Sequence, residues 1–157
     1  MRSDRHDHAR VQIHRLLGLV GHVGQKPERP KSLRFESQCG PDRATVNEPV
    51  TCDVFVSPPT FRGYGMVIAE IGLPPGAEVD RGTLANIVDD SNSGVDSFEV
   101  APDRVTFYIW PRGANARFHF VFRPPFAMTA RSAQSVLYDY YNPDERVVLA
   151  PKTFTVE

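Results

Sequence analysis

Apolar and polar residues alternate along most of the chain, and each alternating run stops at Gly, Pro, Asn or Asp. Leu33-Arg34-Phe35-Glu36 alternates, Gly40-Pro41-Asp42 turns, and Val50 to Val56 resumes the alternation, which is the pattern of half-buried antiparallel strands. Ser57-Pro58-Pro59 and Gly63-Tyr64-Gly65 close the next connection. Met66 to Ile71 is then almost continuously apolar, as expected of a strand buried on both faces or central in its sheet, and Leu73-Pro74-Pro75-Gly76 ends it. Val95 to Val100, Arg104 to Trp110, Arg117 to Arg123, Ser135 to Asn142, Arg146 to Leu149 and Lys152 to Val156 supply further strands. Turn signals spaced roughly 8 to 12 residues apart predict a sandwich or barrel. In the tyrosine-rich strand, alternation places Tyr138 and Tyr140 on one face and Asp139 and Tyr141 on the other, and Asn142-Pro143 ends the ladder.

One segment changes period. Asp80 and Thr83 offer capping side chains, and Leu84, Ile87 and Val88 recur at helical spacing before Asp89-Asp90-Ser91-Asn92-Ser93-Gly94 dissolves the pattern. A helix of about two turns is expected there, lying as a lid over an open end or edge of the sheets.

Composition separates the first thirty residues from the rest. They hold His6, His8, His14 and His22 among Arg2, Arg5, Arg10 and Arg15, with a short apolar run from Leu16 to Val20. That run is too short for a secretory core, and nowhere does the chain approach the ~20 apolar residues of a membrane span. A weakly amphipathic helix over Ala9 to Val20 competes with Gly18, Gly21 and Gly24, and Lys26 to Pro30 reads as an extended linker. The expectation is a poorly structured arm over residues 1–30 and a β-sandwich domain over 31–157. The ten Phe, five Tyr and fourteen Pro of the chain reinforce an all-β class.

Charge and chemistry mostly exclude. A net charge of −1 provides no basic field to gather nucleic acid or an anionic membrane. His6-Asp7-His8 with His14 offers imidazole and carboxylate groups, but on a flexible arm and without a structural-site spacing, so no metal is assigned. Asp89-Asp90 and Asp144-Glu145 lie in turn-like segments where solvated acids are routine, and no Gly-rich loop matches a phosphate cradle. His119, between Phe118 and Phe120, faces away from the Phe118, Phe120, Phe122 stripe and reads as an exposed strand histidine. No catalytic residue and no cofactor are assigned, and the chain is read as a non-enzyme.

Several motifs together carry a resemblance. The run from Met66 to Val79 (MVIAEIGLPPGAEV), the helix after it, Val105-Thr106-Phe107-Tyr108-Ile109, and Val136 to Glu145 (VLYDYYNPDE) occur in the order and spacing of the C-terminal receptor-binding domain of the alpha-2-macroglobulin family. The resemblance covers about Lys31 to Glu157, and the Leu-Pro-Pro-Gly form looks more like bacterial or invertebrate members. It implies an antiparallel immunoglobulin-like β-sandwich with one short crossing helix, extracellular or periplasmic work, and a much longer thioester-containing parent. The chain departs from the pattern in instructive places. The thioester sequence Gly-Cys-Gly-Glu-Gln is absent, since Gln38-Cys39-Gly40-Pro41 lacks the Glu-Gln that supplies the acyl group. Vertebrate members carry two lysines a helical turn apart for receptor uptake, and the matching positions here are Arg81 and Ala85. They also pair a cysteine after the first strand with one near the C-terminus, whereas no cysteine follows Cys52 here. Cys39 and Cys52 either pair with each other, closing about fourteen residues for roughly 3 kcal/mol in an oxidising compartment, or remain reduced thiols.

The resemblance implies a noncatalytic protein-interaction domain and the fragment of a thioester protease inhibitor. Arg81, Thr83, Asn86 and Tyr141 are its candidate partner contacts, toward a receptor or the parent's own thioester domain. By analogy the parent shields its thioester partly with this domain. A basic, histidine-rich leader without an export signal, ahead of a terminal domain, is expected of a truncated or misassigned reading frame of a larger gene, in which the arm over residues 1–30 is not native. The alternative is an independent extracellular adhesion or carbohydrate-binding sandwich, with Tyr141, Trp110 or Phe61 as a stacking platform.

Overall fold

A computed structural model describes residues 33–57, 65–112 and 115–157. The arm expected over residues 1–30, with its histidines and the stretch from Ala9 to Val20, lies outside the described residues, as do Phe61 and most of the connection after Ser57. In chain order the described elements are β1 (Arg34–Cys39), β2 (Arg43–Ala44), β3 (Val50–Ser57), β4 (Val67–Gly72), β5 (Glu78–Val79), α1 (Arg81–Asp89), β6 (Val95–Ala101), β7 (Arg104–Ile109), β8 (Ala116–Arg123), β9 (Met128–Arg131), β10 (Ser135–Asp139), β11 (Arg146–Leu149) and β12 (Thr153–Val156).

Two main sheets face each other. One has four strands in the order β1-β3-β8-β5 and the other five in the order β11-β10-β4-β7-β6, each with antiparallel neighbours. A short third sheet, β2-β12-β9, pairs β12 parallel to β2 and antiparallel to β9. The fold is an immunoglobulin-like β-sandwich with a single short helix among the described residues.

Strict alternation builds the core. Val50, Cys52, Val54 and Val56 of β3 and Ala116, Phe118, Phe120 and Phe122 of β8 point inward, facing Val67, Ala69 and Ile71 of β4 and Val105, Phe107 and Ile109 of β7. Phe107 lies between the layers, with ring centroids 4.7 Å from Phe118 and 5.5 Å from Phe120. Each such ring removed from water contributes about 1.5–3 kcal/mol, so the layers are held by aromatic interdigitation with no cofactor required. Every strongly buried side-chain polar atom among the described residues has a partner. Ser135, for example, accepts from the Gly72 amide at 2.9 Å and joins β10 to the end of β4.

The structure corrects the tyrosine strand. Alternation predicts that it runs to Asn142, yet β10 stops at Asp139. Asp139 is buried, and its carboxylate accepts from the Tyr141 amide at 2.8 Å, which turns the backbone out of the ladder. Tyr140 and Tyr141 are consequently both exposed beyond the strand, with Tyr140 N–H donating to the Met66 carbonyl at 3.0 Å. The short strands β2, β5 and β9 were not marked by alternation. The Pro-Pro-Gly turn behaves as expected: Gly76 takes φ +77°, and the Phe126 ring covers the side where a Cβ would stand.

Candidate interaction surface

Helix α1 starts from a strand edge. Val79 of β5 pairs with Phe122 of β8, and the next residue, Asp80, donates its amide to the Val121 carbonyl at 2.9 Å. Asp80 then caps the helix, accepting from Gly82 N–H at 2.9 Å and Thr83 N–H at 3.3 Å. The Thr83 hydroxyl donates to the Asp80 carbonyl at 2.7 Å and accepts from the Val121 amide at 3.2 Å. Both backbone groups of Val121 are thus satisfied by the cap, which extends the β5–β8 ladder into the first helical turn. Leu84 and Ile87 anchor the inner face, both buried. The far end is tied by Ser93, whose buried hydroxyl donates to the Ile87 carbonyl at 2.6 Å and accepts from Val95 N–H of β6 at 3.0 Å. The helix therefore bridges β8 of one sheet and β6 of the other.

This anchoring sorts the residues expected to meet a partner. Arg81 and Asn86 are exposed, and among the described residues neither side chain has a hydrogen-bond or ion-pair partner. Thr83 is half-buried and its hydroxyl already holds the cap to β8. Beside the helix a cleft of about 240 Å³ runs along β8, lined by Thr83, Asn86, Ile87, Asp90, Arg117 and His119. Arg117 packs over the Phe55 ring at 5.1 Å from its centroid, and His119 stands opposite Asp53 in the β3–β8 register. Asp90, Arg117 and His119 escape a sequence-based site assignment. Their outward alternation on β8 was legible for the last two, but nothing local places a helix alongside them.

Tyr141 is elsewhere. It is 67% exposed, edge-on to Tyr140 with centroids 5.1 Å apart, and follows β10, which β4 and β7 separate from β6 in strand order. The helix packs on β8 and β6, so the structure brings Arg81, Thr83 and Asn86 onto one element and leaves Tyr141 apart from them.

Cys39 and Cys52 face each other in the β1–β3 register and are joined by a disulfide. Their sulfurs are bonded to each other, so neither forms a nucleophilic pair with His119. Lys152 reinforces this hairpin: its ammonium donates to the Cys39 and Gly40 carbonyls at 2.7 and 2.8 Å, pairs with Asp42 at 3.2 Å and lies over the Phe154 ring. Among the described residues no three His, Cys, Asp or Glu side chains cluster to hold a metal, and no helix is long and apolar enough to cross a membrane.

The outer face of the five-stranded sheet carries an ionic and phenolic network. Arg104 donates to Glu70 and to Asp103, each at 3.0 Å, and the Tyr138 hydroxyl reaches Glu70 at 3.5 Å. Hydrogen bonding to Arg104 holds the Asp103 carboxyl below its ordinary value. Burial pushes the Tyr138 and Tyr108 phenols up, with Glu70 adding to the first and Glu99 to the second. Between them in the register sits Ile68, buried although it faces outward. The network links β7, β4 and β10 across that face.

A family model described as the A-macroglobulin receptor binding domain matches residues 62–150. Among solved structures, native alpha-2-macroglobulin from Escherichia coli is similar with a TM-score of 0.67 at 14% identity, over 80% of this chain and 23% of that one. A Salmonella alpha-2-macroglobulin mutant gives a TM-score of 0.66 at 17% identity, over 80% of this chain and 9% of that one. Trypsin-activated alpha-2-macroglobulin from Escherichia coli gives 0.66 at 14% identity, over 80% and 10% of the two chains. At these identities the likeness is one of fold, and the chain spans less than a quarter of the length of these proteins. A sequence comparison with curated proteins finds no match.

Proposed function

The chain belongs to the A-macroglobulin receptor binding domain family, and from that premise we propose that the outer face of α1, with the cleft beside it, docks a protein partner. The domain itself is a noncatalytic protein-interaction module. One observation carries the choice of surface. The helix is fixed to both sheets by Leu84, Ile87, Thr83 and Ser93, while Arg81 and Asn86 stay exposed and uncommitted. A rigid element with free polar groups loses little freedom on docking.

The partner we favour is the thioester domain of a longer parent, of which this chain would be the C-terminal part. The solved relatives are chains several times longer. The second cation of the receptor-uptake pair is missing, because Ala85 stands where the vertebrate pattern has lysine. Tyr141 would form a second, separate contact. Residues 1–30 would stand outside the family domain, which would begin near residue 31, ahead of the matched residues 62–150. Family membership and the disulfide both support an extracellular or periplasmic place.

The test is binding of the purified chain to the thioester domain of Escherichia coli alpha-2-macroglobulin, followed by biolayer interferometry. Saturable binding is expected, weakened at least tenfold by Arg81→Glu with Asn86→Ala, and weakened further by Tyr141→Ala. Binding indifferent to the helix substitutions would sink the helix surface. An open reading frame upstream encoding macroglobulin and thioester domains is the expected genetic counterpart, and its absence would sink the fragment reading.

A further inference from the structure

A second cleft, on the other side of the α1–β6 connection, has a different chemistry. It measures about 190 Å³ and is lined by Ser91, Asn92, Trp110, Arg112 and Asn115 among others. That is below the ~300 Å³ at which drug-sized pockets begin and suits a single small ring. Trp110 is the sole tryptophan of the chain and 42% exposed, although it directly follows a strand whose inward residues are fully buried. Among the described residues the side chains of Ser91, Asn92, Arg112 and Asn115 have no hydrogen-bond or ion-pair partner. The cleft therefore offers an indole surface, a hydroxyl, two carboxamides and a guanidinium, all free to meet a ligand.

The wall formed by the α1–β6 connection and the Trp110 backbone is held in place. The Trp110 amide donates to the Gly94 carbonyl at 2.8 Å, and Gly94, at φ +73°, lets the two backbones approach so closely that a Cβ there would stand 3.3 Å from the Trp110 carbonyl oxygen. Asp90 accepts from Asn92 N–H at 2.9 Å, and the buried Ser93 hydroxyl anchors the same loop to α1 and β6. Ligand binding would thus order little backbone along that wall.

We propose that this cleft binds a carboxylate-bearing pyranose residue of a glycan. The apolar face of a sugar ring stacks on indole, its hydroxyls exchange hydrogen bonds with carboxamide and hydroxyl groups, and Arg112, among the described residues the only charged one lining the cleft, selects a carboxylate through paired N–H donors. The two clefts adjoin at Ser93, but the side chains assigned to the ligand here differ from those of the α1 docking surface, so the two proposals are tested separately.

Because Trp110 is the only tryptophan, its fluorescence and its indole N–H signal in NMR spectra report this cleft and nothing else. The probes are tetragalacturonate and uncharged galactotetraose, each titrated to about 10 mM, where a site with a dissociation constant of ~1 mM is about nine tenths full. The expected result is saturable movement of both signals by the acidic oligosaccharide, at least tenfold weaker binding in Arg112→Gln, and little response to the neutral one. Amide signals of Ser91, Asn92 and Asn115 should move in parallel, and in Trp110→Ala they should stay still while the thermal unfolding midpoint is unchanged. Silent signals with tetragalacturonate, equal binding of the neutral sugar, or full binding by Arg112→Gln would each overturn the proposal.

Discussion

The four-stranded sheet is finished differently at its two edges. At β1 the edge strand is fastened covalently: the disulfide joins β1 to β3, and Lys152 clamps the following turn through two carbonyls and Asp42. At β5 the ladder contains only two paired residues, and closure is left to α1, held by Leu84, Ile87 and the Thr83–Val121 bond. A cross-linked edge resists opening whatever its hydration, whereas an edge closed by a helix depends on apolar burial. The second arrangement leaves a polar helix face outward, and that is where free side chains gather. The cross-linked edge and the edge that carries the proposed docking helix are thus separated across one sheet.

The largest expected effect breaks the helical edge. Leu84 is fully buried under α1, so Leu84→Ala should cost about 4 kcal/mol, read as a lower urea midpoint with an unchanged slope. Amide exchange should localise the damage, with Val121 exchanging faster and Cys52 unaffected in excess of the global change. Equal acceleration at both would dissolve the distinction between the edges.

Reducing the disulfide, or replacing Cys39 and Cys52 with alanine, probes the other edge. The closed segment is short, with a sequence separation of 13, and its loss should cost about 3 kcal/mol. The α1 surface should keep its partner affinity under reduction, because the helix packs chiefly on β8 and β6. Reduced protein that loses α1-dependent binding would show that the two edges are coupled.

Asp80→Ala removes the helix cap without touching the core and should cost about 1 kcal/mol. Restoration of most of that loss by Asp80→Asn, seen in thermal melts, would identify capping as the cause. Loss of the same size in both variants would assign the effect to charge.

How much of this was legible depended on distance along the chain. Val50 to Val56 and Phe118 to Phe122 disclosed their strands because each alternates over a full ladder against a neighbour that also alternates. The cap at Asp80 was legible because its partners are two and three residues away. The Thr83 bond to Val121, 38 residues distant, was not. β2 and β5 contain two residues each, too few for any period to register. The end of β10 was misplaced because a side chain, Asp139, overrode an alternation that continues for two more tyrosines. The exposure of Arg117 and His119 could be read locally, while the cleft they share with α1 depends on how a helix crosses between sheets.

The smallest effect supplies an internal reference for both edges. Tyr108 and Tyr138 lie on the outer face of the five-stranded sheet, which does not contain β1, and burial raises both phenols above their ordinary value of 10.0. A group whose folded value is raised favours folding fully below its unfolded value, and that contribution is lost as pH rises through the folded value. Stability should therefore begin to decline above about pH 10 as unfolded tyrosines ionise first. Absorbance at the phenolate band should show these two titrating late. If the edges open locally, the late phase survives reduction of Cys39–Cys52, since the row Tyr138–Ile68–Tyr108, which continues to Arg146 of β11 and Ser97 of β6, includes no residue of β1 or β3. A late phase that collapses on reduction, with the protein still folded by circular dichroism, would mean that the covalent edge supports the opposite sheet, and the two edges could no longer be treated as independent.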